Sequence, residues 1–135
     1  MTPDDALDLI RDVAATGRDI HIDELGDALS AGRVRPSAIR SVLLDLIDVA
    51  RAEADLLVQE SIMNVLSANY LSGMCRAEIE ELVVELGPSF APMSAVHAVS
   101  IIAESALPDR GALLSFYANS ENPAVRESAE RYMSD

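Results

Sequence analysis

The residues best suited to nucleophilic and general-base work are few: one cysteine, Cys75, and two histidines, His21 and His97. Cys75 falls near the start of a predicted helix, where the helix dipole could lower a thiol's pKa. A cysteine nucleophile also needs a base within reach, and neither histidine is near it in sequence, so a structural cysteine is the expectation. His97, Ser100 and Glu104 share one face of another predicted helix. The His and the Glu, seven residues apart, are separated by about 10 Å, too far to hold one metal or to pass a proton directly. That stripe is expected to meet water or a neighbour's polar group, and the one role left to it would be that of a contact surface.

The segment HIDEL offers His21, Asp23 and Glu24, but its spacing is neither the HExxH of a zinc helix nor the acidic loop of a calcium site. The six glycines form no phosphate-binding loop. Catalytic, cofactor and metal residues are therefore expected to be none. The chain is read as a non-enzyme without a small-molecule substrate.

Charge is more informative. Twenty-three acids against ten basic residues, all arginine, give a net charge of −13 and a pI near 4.3. Such a surface repels phosphate backbones and anionic lipid, and it speeds encounter with basic proteins. Nucleic acid and membrane are excluded as partners. A basic protein is expected, unless the acidity serves solubility alone. Two acidic faces stand out: Asp19, Asp23, Glu24 and Asp27 around the second predicted helix, and Glu78, Glu81 and Glu85 along the fifth. Like charges at helical spacing oppose one another by a few tenths of a kcal/mol per pair. A basic groove, such as that of a nuclease, would complement either face.

The single cysteine excludes an internal disulfide, and MTPDDALDL lacks the basic region and apolar run of a signal peptide, so a cytoplasmic protein is expected. Arginine without lysine, with abundant Ala and Asp, fits GC-rich codon usage and a bacterial source.

The elements that must position these residues are all helical. Thr2-Pro3-Asp4-Asp5 reads as a helix start. Ala6, Leu7, Ile10, Val13 and Ala14 follow at helical spacing, and Gly17 ends the helix. A second helix is expected over about 23–31 and a third from Pro36, with Ile39, Val42, Leu43, Leu46, Ile47 and Ala50 as its apolar stripe. A fourth covers about 55–71, divided from the third near 53–55 or continuous with it through a kink. The fifth covers about 76–86, burying Ile79, Leu82, Val83 and Leu86. The sixth lies within FAPMSAVHAVSIIAESAL (90–107), apolar nearly all round and so expected to be buried; it is too short for the roughly 20 residues of a membrane span. A short seventh helix runs to about 118, and an eighth covers 123–133. No alternating run of strand length occurs.

Three segments superpose: ADLLVQESIMNVL from Ala54, APMSAVHAVSIIA from Ala91 and NPAVRESAERYM from Asn122. Val58, Ala95 and Val125 correspond, and each segment follows another helix, so the repeating unit is a helical hairpin. NPAVRESAERYM resembles the second helix of a HEAT-like repeat, with Asn-Pro leading into Val-Arg. Arg126 matches that pattern's arginine, where Gln59 and Val96 stand in the other two segments. The resemblance implies one domain over 1–135: an all-α stack of about eight helices, with 1–35 as an N-terminal hairpin or cap and 36–135 as antiparallel HEAT-like hairpins.

In size and acidity the chain also resembles the immunity proteins of bacterial polymorphic-toxin and contact-dependent growth inhibition systems. That resemblance implies a cytoplasmic protein that binds a cognate toxin and occludes its active surface. The alternative is a HEAT-like scaffold or regulatory adaptor for another cytosolic protein.

Overall fold

The computed structural model describes residues 2–133. Within them the chain forms eight α-helices and no strand: α1 (Pro3–Arg11), α2 (Arg18–Ser30), α3 (Pro36–Arg51), α4 (Leu56–Tyr70), α5 (Arg76–Leu86), α6 (Pro92–Glu104), α7 (Arg110–Ala118) and α8 (Pro123–Met133). A 3-10 turn, Gly87–Ser89, follows α5 directly. The expected all-α class is what the chain adopts.

Short turns reverse the chain from helix to helix, so alternate helices run the same way. Helices α1, α3 and α5 form one layer, α1 on α3 and α3 on α5. The even-numbered helices form the other, with α2 on α4, α4 on α6 and α6 on α8. Across the layers α1 packs on α2, α3 on α4, α5 on α6 and α7 on α8. One apolar cluster runs between the layers from Leu7 to Ala129.

Repetition is visible in the caps. The Asp55 carboxylate accepts from the N–H groups of Leu57 and Val58 at 2.9 and 3.2 Å, and the Asn122 amide oxygen accepts from Ala124 and Val125 at 3.0 and 3.2 Å. Val58 and Val125 thus occupy the same place in α4 and α8, and both are buried. Helix α6 starts from Ala91, which has no capping side chain, and Ala95 stands one position later from its cap than the two valines. Ser94 takes their place there and is fully buried.

Four expectations are corrected. Helix α1 ends at Arg11, well before Gly17, because the Asp12 carboxylate accepts from the Ala14 N–H at 3.0 Å and folds the chain into a side-chain-closed turn. Val13 and Ala14 consequently lie outside the helix, Val13 82% exposed. Helix α2 starts at Arg18, five residues earlier than expected, from Gly17 at φ 69°. A glycine cap carries no side-chain signal, and the Ile-His-Ile alternation of residues 20–22 conceals the helical period. Helix α6 buries Ser94, Ala95, Ala98, Val99, Ile101 and Ile102, but Met93 at its start is 51% exposed. Leu86 is half-buried, at the end of α5.

The separation of α3 from α4 is complete. Glu53 and Asp55 make it: the Glu53 carboxylate accepts from the Asp55 N–H at 3.1 Å while Asp55 caps α4.

Candidate protein-binding groove

Asp19, Asp23 and Asp27 recur every fourth residue along α2, so their carboxylates form a ladder with steps of about 6 Å. They line one side of an open groove of about 620 Å³. Helix α4 supplies the opposite wall with Glu60, Ser61, Asn64 and Ala68, and α6 adds Met93 and His97. Gly26 sets how closely the walls approach, since a Cβ there would stand 2.8 Å from Val65 Cγ2. No arginine lines the groove among the described residues, and α4 contains no basic residue at all. Leu57, 63% exposed, and Met93 form an apolar lip at the N-terminal ends of α4 and α6.

The sequence-predicted acids divide between two situations. In the odd layer, arginines engage them across helices. Arg40 pairs with Glu78 at 3.1 Å and Arg51 with Glu85 at 3.1 Å, joining α3 to α5, and Arg11 pairs with Asp45 at 2.6 Å, joining α1 to α3. Glu81 is exposed on the same α5. In the even layer, Asp19, Asp23, Asp27 and Glu60 form no ion pair among the described residues. Glu24 faces away from the groove, into a smaller cavity beside Thr2 and Pro3, with its carboxylate 3.9 Å from His21 Nδ1.

His97 carries the stripe of α6 into the groove. Burial holds its pKa below the usual histidine value, against the opposing pull of the Glu60 charge, so the neutral imidazole is favoured. Ser100 is half-buried and Glu104 exposed farther along the same helix.

Cys75 sits before α5 with φ 59°, the left-handed region that a non-glycine residue rarely enters. Its thiol is buried against Arg40, Sγ 3.8 Å from the Arg40 carbonyl oxygen. Burial and then the Glu78 charge push its pKa up, against Arg40. This is the reverse of dipole activation, and the thiol is protonated at neutral pH. His21, Asp23 and Glu24 do not converge: among the described residues no group of three or more His, Cys, Asp or Glu is arranged to hold a metal ion.

Three features were not anticipated. The first is a buried clamp: Arg18 donates to the Ile10 carbonyl from Nε at 2.6 Å and to both oxygens of Glu53 at 3.1 and 2.6 Å. Both side chains are almost wholly buried. The clamp closes the end of α1, the start of α2 and the α3–α4 turn together, and a separation of 35 positions between its members leaves no pattern in the sequence. The second is the apolar lip. Leu57, directly after Leu56 and before Val58, steps off the buried stripe, which is a detectable signal. The third is an aromatic slot of about 360 Å³, where Phe90, Phe116 and Tyr117 meet Pro88 and Pro92. Tyr117 donates to the Gly87 carbonyl there at 3.2 Å, and burial pushes its hydroxyl pKa up to about 12.

Fold and groove define a two-layered stack of helical hairpins with a groove on its even-numbered helices lined by Asp19, Asp23, Asp27 and Glu60 and by no arginine among the described residues. Compared with known proteins, the chain matches no family model, no curated protein and no solved structure. No helix among the described residues is long and apolar enough to cross a membrane.

Proposed function

We propose that this protein is an acidic binding module of the immunity type, which receives the basic active surface of a cognate bacterial toxin in the α2–α4–α6 groove and occludes it in the cytoplasm. It performs no chemistry of its own. One observation carries the reading: Asp45, Glu78 and Glu85 bridge to arginines of neighbouring helices, whereas Asp19, Asp23, Asp27 and Glu60 line one groove that contains no arginine among the described residues. Carboxylates left unpaired at a few ångströms' spacing repel one another, and a basic partner relieves that repulsion while raising the association rate. The exposed Leu57 and Met93 supply the apolar contact that charge alone lacks, since binding energy concentrates in desolvated apolar anchors.

The activity of a captured partner tests the proposal. A basic protein purified on the immobilised chain should lose its toxic activity when one equivalent of the chain is added. A partner fully active in the complex would contradict inhibition and move the protein to the scaffold or adaptor class.

A further inference from the structure

We propose that the element received by this groove is an α-helix of the partner, carrying arginine or lysine at every fourth position, laid along α2 with its apolar residues against Leu57 and Met93. The inference rests on the groove being the binding face and adds what the partner must present to it.

Backbone chemistry selects the helix. Both long walls are helix interiors, whose N–H and C=O groups are already paired within α2 and α4. An extended segment laid there would bury its own backbone groups against side chains alone, with no strand edge to pair with. A helix arrives with those groups satisfied and offers side chains only.

Spacing then selects the pattern. Asp19, Asp23 and Asp27 span about 12 Å, and positive side chains every fourth residue on a neighbouring helix advance by the same step. Wall composition permits the approach: Gly26 and Ser30 on α2 and Ser61 and Ala68 on α4 are small, so ridges of an incoming helix can settle between them. Because α4 and α6 run the same way, Leu57 and Met93 lie at the same end of the layer. The partner's apolar residues therefore belong at one end of its basic ladder.

The probe is a hydrocarbon-stapled peptide with arginine at i, i+4 and i+8 and leucine beyond one end of the ladder. It is titrated into the nitrogen-15-labelled chain beside a peptide of the same composition broken by two prolines. Amide shifts should cluster on α2, α4 and the first turn of α6, and the stapled peptide should bind about tenfold tighter than the broken one. Asp23→Asn with Asp27→Asn should weaken it by about tenfold, with helical circular dichroism unchanged. Equal binding of the two peptides, or shifts clustered elsewhere, would overturn the helix. If neither peptide perturbs the groove while a captured basic protein still depends on Asp23 and Asp27, the helix falls and the binding face stands. If that protein does not depend on them either, both fall.

Discussion

Arg18 shows how much one side chain can hold together in a small helical stack. Its guanidinium is bidentate to Glu53 and also donates to the last turn of α1, all in a nearly dry site. Removing one member of a buried pair leaves the other charge without a partner and costs about 3–5 kcal/mol. Arg18→Ala should therefore lower denaturant stability by that order, whereas Arg18→Ala with Glu53→Leu should recover part of the loss. A loss below about 1 kcal/mol in the single variant would contradict the clamp. His97 makes a pH prediction. Its folded pKa lies below the unfolded value of 6.5, so its contribution is complete above that value and is lost as pH falls through the lowered folded one. Melting temperature should fall as pH is lowered below the unfolded value, and less steeply in His97→Gln. Identical profiles for the two proteins would show that His97 does not titrate with folding.

The joint between α2 and α4 turns on Gly26. Helix propensity alone favours alanine over glycine by about 1 kcal/mol. Here a Cβ meets the buried, β-branched Val65 at 2.8 Å, and overpacking costs about 1–3 kcal/mol. Gly26→Ala should lower the melting temperature in the native background and raise it in Val65→Ala, a reversal that an exposed helix would not show. Most elements were legible because stripes such as Val42, Leu43, Leu46, Ile47 and Ala50 bury where the period places them. The ends of α1 and α2 were not, since Asp12 and Gly17 act through local backbone geometry that periodicity does not sense. The acidic faces were legible as charge, but only tertiary pairing separates them. Glu78 and Glu85 are held by Arg40 and Arg51, while the aspartates of α2 are not. Reversing Glu78 and Glu85 to arginine would place like charges together across α3 and α5. Each partly exposed pair contributes about 0.2–1 kcal/mol, so the double reversal should lower stability by more than about 1 kcal/mol once repulsion replaces attraction. A denaturation midpoint unchanged from the native chain would refute that pairing.

Across the whole molecule, the two layers divide the charge between structure and surface. Arginines stitch α1 to α3 and α3 to α5, while no arginine lines the α2–α4–α6 groove among the described residues of a chain at net −13. No single stretch of sequence encodes that division: α2, α4 and α6 are separated by whole helices and become neighbours only when the hairpins stack. The most direct measurement of the central claim is capture of basic proteins at low and physiological salt by three immobilised chains. These are the native one, a groove-neutral one (Asp19→Asn, Asp23→Asn, Asp27→Asn) and an α5-neutral one (Glu78→Gln, Glu81→Gln, Glu85→Gln), all checked for the same helical content. One basic partner should be held by the native and α5-neutral chains at both salt levels and lost from the groove-neutral chain. Retention by the groove-neutral chain with loss from the α5-neutral one would contradict it and move the binding face to α5.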